Sequence, residues 1–399
     1  MKNKMLICNI NYDKKNIIIS KVLFLLFLIF YNINIISQLN SMISYIKIKY
    51  EIKKNDNYLK MLNKYKIRKK FQKRNNPKIS VVIPIYSREL FLIRFLRTIQ
   101  YQNFQDIEII FIDDYSSDNS IKIIEENKKD DERILLLKNK KNKGTFVNRN
   151  LGALYAKGKY LIIPDPDDII LNHNILTICY KLAEKYNYEI IRFNIQKRNN
   201  IFLYNIIKKL QNKQFNQPEL STMIFYLNNE LEQTDINIYN KIIRTEVYIK
   251  ALNSLSDNYL KMYMTLDEDQ LINYILHRNT KSFYFLKTIG YYHIKNTISI
   301  TNNIFKCGKI LLKCNFIYLK IIFEYSKNEK YEKDMFNFYS NILYTHLYIA
   351  IHYSLLTQKE FNFFFNLIQI FLNCKFITNE NKSFLKESVK LLKNKIKKY

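Results

Sequence analysis

The sequence contains no tryptophan, and glycine, proline and cysteine each occur only five times in 399 residues. The cysteines are scattered and form no CxxC pair, which excludes a zinc finger or a disulfide framework and leaves buried thiols as the simpler interpretation. Tyrosine (32) and phenylalanine (27) are abundant instead. The abundant residue types have AT-rich codons, so we attribute much of this imbalance, including the excess of lysine, to genome composition.

Acidic residues are also few: 35 aspartates and glutamates stand against 64 lysines and arginines, a formal charge of +29. Such a charge first suggests a nucleic-acid binder. The surplus is uneven, because residues 1–77 carry 17 basic and 3 acidic side chains, residues 78–170 carry 15 and 14, and residues 171–399 carry 32 and 18. Since the motif-rich middle segment is nearly neutral, we predict no nucleic-acid partner. Hydrophobic residues make up 48%, enough for a globular core.

Residues 17–36 form the longest apolar stretch near the N-terminus, IIISKVLFLLFLIFYNINII. Twenty residues are just long enough to span a bilayer. No small-x-small cleavage site follows between residues 30 and 50, so we favour an uncleaved transmembrane anchor over a signal peptide or a buried helix. Residues 1–16 are then a short tail, and residues 37–77 a basic stem or linker, with contact to anionic lipid as the alternative.

This reading predicts a single-pass membrane protein, with the Golgi, ER or another endomembrane favoured over the plasma membrane. Lysines flank both ends of the span equally, so the positive-inside rule assigns no orientation.

From residue 79 onward, short apolar strands alternate with amphipathic helices. This alternation predicts an α/β domain over residues 78–300, with a mostly parallel sheet covered by helices on both faces. Helical patterns dominate residues 301–399. The predicted strands are 79–85, 107–112, 133–138, 160–164 and 189–195, and the predicted helices are 90–100, 121–128, 146–156 and 175–186.

Ligands of such sheets bind beyond the carboxyl ends of the strands, so the residues that follow each strand are the candidate site. Two acidic clusters at neighbouring strand ends repel each other unless a cation or hydrogen-bond donors lie between them. Mg²⁺ is typically shared between carboxylates and substrate phosphates, although acidic residues after a strand can also simply cap the next helix. The candidates are Pro84 and Tyr86 at the first strand, Asp113 and Asp114 at the second, Lys143 and Arg149 after the third, and Asp165, Asp167 and Asp168 after the fourth.

Residues 79–195 resemble the family 2 glycosyltransferases, which have the GT-A nucleotide-sugar-binding fold. The resemblance lies in ISVVIPIYSRE, IEIIFIDDYSSDNSIKII, NKGTFVNRNLGALYAKGKYLIIPDPDD and EIIRFNI. Weaker similarity continues through residues 238–244, 266–271 and 291–294. The members that these segments most resemble are bacterial and protist enzymes that add sugars to surface glycans.

The resemblance implies a role for each matching residue. It implies a nucleotide-diphosphate sugar as donor, a glycan, lipid or protein as acceptor, a Mg²⁺ or Mn²⁺ ion, and inversion at the transferred carbon. Ser87 and Pro166 depart from the common family residues without removing a ligand. The implied roles are nucleotide-sugar binding for Pro84, Tyr86, Asp113, Asp114, Lys143, Arg149 and Asp165, metal binding for Asp165, Asp167 and Asp168, and catalysis for Asp269 with its neighbour Glu268.

Three alternatives remain at the level of the sequence. The acidic segment 267–269 can be an ordinary helix start rather than the site of a general base. His293 can be a further metal or phosphate ligand or an exposed polar residue. The whole chain can be a membrane-anchored pseudoenzyme that serves as a scaffold, although its retention of both acidic motifs and of Asp269 argues against this.

Overall fold

The structure is a computed structural model, and the predicted tail, anchor and most of the stem (residues 1–69) lie outside the residues it describes. In the described part of the chain, no helix has the length and apolar character of a membrane span. The described residues are 70–197, 213–216, 226–227, 230–231, 237–266, 268–294, 304–325, 336, 340, 343, 347, 357–373 and 379–396.

The first half of the domain alternates strands and helices, as the hydrophobic pattern predicts. Each predicted strand and helix of this half is confirmed, with ends that differ by at most two residues. The strands are β1 (Ile79–Ile85), β2 (Ile107–Asp113), β3 (Ile134–Lys138) and β4 (Tyr160–Ile162), and the helices are α1 (Glu89–Gln100), α2 (Ser120–Lys128) and α3 (Thr145–Tyr155).

The second half is less regular and contains several very short strands. Its strands are β5 (Ile169–Ile170), β6 (Ile190–Lys197), β7 (Lys213–Asn216), β8 (Tyr226–Leu227), β9 (Glu230–Leu231), β10 (Lys241–Arg244) and β11 (Ser282–His293). Its helices are α4 (Ile175–Tyr186), α5 (Thr245–Asn253), α6 (Asp257–Leu260) and α7 (Glu268–Asn279).

Nine strands of the described residues form one sheet in the order β3-β2-β1-β4-β10-β6-β11-β5, with β7 beside β11. The neighbours β3, β2, β1 and β4 are parallel, and so are β6 and β11. Strand β10 runs antiparallel to both β4 and β6, and β5 and β7 run antiparallel to β11. The sheet is therefore mixed, which corrects the prediction of a mostly parallel one. The hydrophobic pattern identifies strands but does not encode that four-residue β10 inserts between β4 and β6.

Helices cover both faces of the sheet, as predicted. All seven residues of β1 are buried, and its side chains alternate between two hydrophobic clusters: Val82 packs on one side, and Val81 and Ile83 on the other. Helices α3, α5 and α7 cover the first side, while α1, α2 and α4 cover the second. Burial on both faces is why these strands are continuously apolar rather than alternating.

The described residues of the C-terminal region form the helices α8 (Ile304–Tyr325), α9 (Gln358–Leu372) and α10 (Asn379–Ile396). Leu312 and Phe316 belong to the same hydrophobic cluster as Val82 and Tyr274 of the sheet domain. The Tyr274 and Tyr318 rings also meet edge to face, with their centroids 6.1 Å apart. The helical region therefore shares one core with the sheet domain.

Candidate active site

An exposed tyrosine, Tyr86, directly follows the carboxyl end of the buried strand β1. Pro84 is buried within β1 opposite Ile112, and β4 pairs with β1 only as far as Val81. A proline is therefore tolerated here, beyond the pairing with β4. Tyr86 follows the strand and is 51% exposed, so its ring is accessible to a ligand. Pro84 is buried, so it packs within the sheet and is not exposed to a ligand.

Strand β2 ends at Asp113, Asp114 follows it, and both residues are buried. The Asp113 Oδ2 atom accepts hydrogen bonds from the backbone N–H groups of Tyr115 and Ser116, each at 3.2 Å. These bonds stabilise a turn in which Tyr115 has a φ of 70° and is 63% exposed. Asp113 is thus a turn-forming residue whose bonds present the Tyr115 ring to solvent.

Asp114 organises the loop that follows β3. Its Oδ1 atom accepts from Asn139 Nδ2 at 3.1 Å and from the Lys143 backbone N–H at 2.7 Å, and its Oδ2 atom accepts from the Gly144 N–H at 2.8 Å. Lys143, a predicted nucleotide-sugar contact, therefore reaches Asp114 through its backbone. The carboxylate of Asp114 links the ends of β2 and β3 into one rim.

Gly144 brings a second loop, residues 261–266, against this rim. Its φ is 86°, and a Cβ atom there would lie 2.8 Å from the backbone oxygen of Met264, so no other residue fits without strain. The Phe146 N–H also donates to the Met264 oxygen at 3.1 Å. The same loop carries Tyr263, which is 57% exposed and was not predicted from the sequence as a site residue.

The acidic loop after β4 is anchored from two directions. The Asp165 N–H donates to the Tyr291 hydroxyl at 3.0 Å. Asp168 is buried; its Oδ1 atom accepts from the Ile294 N–H at 2.8 Å, and its Oδ2 atom lies 3.2 Å from His293 Nδ1. Burial, helped by the neighbouring aspartates, raises the pKa of Asp168 to about 6 against the opposing effect of His293.

Helix α1 contributes a buried arginine, Arg94, that contacts this loop. Arg94 Nη2 donates to the backbone oxygen of Asp167 at 2.7 Å. Burial lowers the pKa of Arg94, while the charges of Asp168 and Asp167 act in the opposite direction. Arg94 was not predicted from the sequence, because nothing in an amphipathic helix indicates which polar residue will face a loop that lies 73 residues away along the chain.

Arg149 joins the acidic loop to the start of helix α7. This buried arginine lies 2.9 Å from Asp165 Oδ1 through Nη2 and 3.3 Å from Glu268 Oε1 through Nη1, and it also forms an ion pair with Asp269. Four residues that the sequence predicted for the site, Arg149, Asp165, Glu268 and Asp269, are thereby brought together, although Arg149 contacts carboxylates here rather than a nucleotide.

The electrostatics of this cluster follow from burial and opposite charge. Burial alone would lower the pKa of Arg149, but Asp165 and Glu268 raise it overall. Burial raises the pKa of Glu268 against the opposing effect of Arg149, and it also raises the pKa of Asp165. The Asp269 side chain is 21% exposed and the Glu268 side chain 9%, so Asp269 is the more accessible of the two adjacent acids.

The acidic loop offers the oxygen ligands that a hard divalent cation prefers, but not a complete protein site. Among the described residues, no group of three or more His, Cys, Asp or Glu side chains is placed to hold a metal ion. Both Asp168 oxygens are engaged in holding the loop. Asp165 and Asp167 fit the common arrangement in which one or two carboxylates bind Mg²⁺ together with substrate phosphates.

Comparison with known proteins supports the family resemblance. Residues 80–242 match the model of glycosyl transferase family 2. A GalNAc(5)-diNAcBac-PP-undecaprenol beta-1,3-glucosyltransferase of Campylobacter jejuni is 35% identical over 126 residues, which are 31% of this chain and 41% of the relative. Glycosyltransferase GlyG of Streptococcus pneumoniae is 37% identical over 120 residues, 28% of this chain and 40% of the relative. The matches thus span about two fifths of the length of these relatives.

The fold is similar to that of S. aureus TarS, solved in complex with UDP. The TM-score is 0.57 at 17% identity, covering 80% of this chain and 89% of the TarS chain. At this identity the similarity concerns the fold alone. Residues 80–242 thus match glycosyl transferase family 2, and the fold of the chain is similar to that of TarS.

Proposed function

We propose that the chain transfers a sugar from a nucleotide-diphosphate sugar to a hydroxyl group of an acceptor. The observation that carries this proposal is the position of Arg149, whose guanidinium contacts both Asp165 and Asp269. Through it, the acidic loop suited to a sugar diphosphate and the accessible acid of α7 share one site. No observation favours the alternative of a pseudoenzyme that serves as a scaffold.

Asp269 is the proposed general base. Its carboxylate takes the proton of the acceptor hydroxyl while that oxygen attacks the anomeric carbon, and the bond from this carbon to the diphosphate oxygen breaks with its electron pair on the diphosphate. A single displacement of this kind inverts the anomeric configuration. The greater exposure of Asp269 relative to Glu268 supports this assignment, and a positioned general base contributes about 10²–10⁴-fold in rate.

A divalent cation, Mg²⁺ or Mn²⁺, would stabilise the negative charge of the departing diphosphate. We propose Asp165 and Asp167 as its protein ligands, with Asp168 holding the loop in place through His293 and Ile294. Two features support this proposal: Asp165 and Asp167 stand two residues apart in the loop after β4, and both Asp168 oxygens are engaged by His293 and Ile294.

The donor and acceptor classes come from the relatives. TarS has been solved with UDP and with UDP-GlcNAc, which makes uridine-diphosphate sugars the first donors to test. The C. jejuni relative is named for an acceptor linked to undecaprenol diphosphate, so a membrane-associated glycan or lipid is the first acceptor class, with a protein as the alternative. Such an acceptor is compatible with a single-pass anchor at residues 17–36 in an endomembrane, which stays a prediction from the sequence.

The test is a panel of nucleotide sugars incubated with the purified full-length chain and Mn²⁺, scored for release of the nucleoside diphosphate. We expect release with one class of donor, and strong loss of release when Asp165 is changed to Asn. Lys250→Met on the exposed side of α5 is the control for a change of charge away from the site. Absence of release with every donor, with and without membrane extract as a source of acceptor, would count against the proposed activity.

Metal removal tests the second part of the proposal. Chelation with EDTA should abolish donor hydrolysis and transfer, and Mn²⁺ or Mg²⁺ should restore them. The physical reason is that the neighbouring carboxylates of Asp165 and Asp167, in the loop after β4, would repel a phosphate without a cation between them. Full activity in EDTA would remove the metal from the proposal and leave the transferase activity standing.

A further inference from the structure

We propose that Tyr263 is a second aromatic contact for the nucleobase of the donor, in addition to Tyr86. The inference rests on the nucleotide-sugar activity proposed above and adds a base-contacting residue to it. Tyr263 belongs to the loop that precedes α7, whereas Tyr86 follows β1, so the two rings come from separate parts of the chain.

The position of Tyr263 is set by close backbone contact with the rim around Asp114. Its ring atom Cδ2 would lie 3.3 Å from a Cβ atom built at Gly144. The Gly144 N–H in turn donates to Asp114 Oδ2 at 2.8 Å, and the neighbouring Met264 oxygen accepts from Phe146. The Tyr263 ring therefore rests on the loop that the Asp114 carboxylate organises.

The surroundings of Tyr263 distinguish it from an ordinary surface tyrosine. The next residue, Met264, is buried, yet the Tyr263 ring stays open to solvent. Partial burial raises the pKa of its hydroxyl. The Asp114 N–H donates to the backbone oxygen of Ile85 at 2.8 Å, so Asp114 is bonded both to the residue before Tyr86 and to Gly144, which the Tyr263 ring contacts. Two exposed tyrosines are thus connected, through Ile85 and Gly144, to the buried residue Asp114.

A nucleobase is the ligand whose chemistry matches this arrangement. Its flat π face stacks on tyrosine rings whatever the base. Its edge carries N–H groups that can donate hydrogen bonds to a carboxylate. The Asp114 Oδ2 atom accepts one hydrogen bond within the described residues, from Gly144, and an ionised carboxylate oxygen can accept a second. Since Tyr263 lies five residues before Glu268, a base held by its ring would also contact the segment that leads into the catalytic helix.

The test measures nucleotide affinity in the full-length chain. UDP, GDP, CDP and ADP are titrated by calorimetry in the presence of Mn²⁺, and inorganic pyrophosphate is measured as a competitor. Loss of one stacked base contact should weaken the best nucleotide by about 5- to 100-fold in Tyr263→Ala. The affinity for pyrophosphate obtained from the competition should not change, because pyrophosphate has no base. Tyr263→Phe should restore most of the affinity, since stacking needs the ring and not the hydroxyl.

The matched control is Tyr155→Ala, which removes a similarly exposed tyrosine at the far end of α3 and should bind like the unchanged chain. Equal nucleotide affinity in Tyr263→Ala and the unchanged chain would overturn the inference while leaving the proposed function intact. An equal loss of pyrophosphate affinity would also overturn it, by showing that the substitution disturbs the loop. If the unchanged chain binds none of the four nucleotides, the proposed function fails, and this inference fails with it.

Discussion

Arg149 joins two distant parts of the chain at the scale of a single side chain. Its side chain is 3% exposed, and its carboxylate partners come from the loop after β4 and from the first turn of α7. A buried charge is stable only when it is paired, and removing one partner leaves the others desolvated without compensation. Arg149 therefore contributes to stability and to the geometry of the site through the same contacts.

We expect Arg149→Met to lower the free energy of unfolding by about 3–5 kcal/mol, the usual cost of breaking a buried ion pair from one side. Arg149→Lys keeps the charge but loses the forked geometry, so its loss should be smaller. Urea denaturation of the full-length chain measures both variants. An unchanged midpoint in Arg149→Met would contradict the contacts described for this residue.

Asp269 carries the most direct prediction about turnover. Asp269→Asn keeps the shape of the side chain and removes the proton acceptor, so turnover should fall about 10²–10⁴-fold with little change in donor affinity. Glu268→Gln is the matched control at the adjacent, more buried position, and it should reduce turnover less. The measurement is steady-state transfer with the donor found in the panel. The opposite order of the two effects would move the base to Glu268.

At the scale of secondary-structure elements, a buried lysine joins β10 to α7. Lys241 is fully buried, and its ammonium group donates to the backbone oxygen of Asn237 and to Asn273 Oδ1, at 3.0 Å in the second case. Asn273 Nδ2 donates to the backbone oxygen of Asp269 at 2.9 Å, and the Ile238 N–H reaches Asp269 Oδ2 at 3.4 Å. Strand β10 thus supports the turn of α7 that carries the proposed base.

Lys241→Met keeps the length of the side chain and removes its donors. Because buried acceptors lose a partner, the free energy of unfolding should fall by about 1–3 kcal/mol. Transfer should slow while nucleotide affinity stays close to that of the unchanged chain, since the Asp114 carboxylate is bonded to Asn139, Lys143 and Gly144 and not to Lys241. Chemical denaturation and calorimetry measure the two effects, with Lys250→Met as the exposed control. A loss of nucleotide affinity equal to the loss of turnover would contradict this separation.

At the scale of the whole molecule, the N-terminal segment differs in net charge from the segment that carries most of the candidate site. Residues 1–77 carry 17 basic and 3 acidic side chains, whereas residues 78–170 are nearly neutral. Within the described residues, the Phe71 N–H donates to the Asp130 oxygen at 3.0 Å, and the Phe71 ring lies 3.8 Å from the Arg133 guanidinium carbon. These contacts lie just before β3, at the amino end of this edge strand, whereas the candidate site includes the loop at its carboxyl end.

We expect deletion of residues 1–40 to give a more soluble chain that keeps the catalytic domain, because the only long apolar run near the N-terminus is removed and the contacts of Phe71 remain. Carbonate extraction of membranes measures the anchorage of the full-length chain, with the deleted chain as the control. Release of the full-length chain by carbonate would count against an integral anchor at residues 17–36.

The sequence by itself determined the local elements of the first half of the domain and the residue types at its strand ends. Continuous apolar runs predict β1 to β4 because these strands are buried on both faces, and the helices between them have a regular apolar spacing. The positions of Asp114, Asp165 and Asp269 followed from strand ends and from the family resemblance. These are properties of short segments, and hydrophobic periodicity acts over such distances.

Only the tertiary structure decided how these acids are used. The pairing of β10 between β4 and β6, the contact of Arg149 with α7 and the contact of Tyr263 with Gly144 join residues that lie 49 to 120 positions apart. It also showed that Asp113 and Asp168 are engaged in holding loops, while Asp269 stays accessible. Hydrogen bonds and ion pairs of this kind depend on the distance between side chains in the folded chain, which residue type and local pattern do not specify.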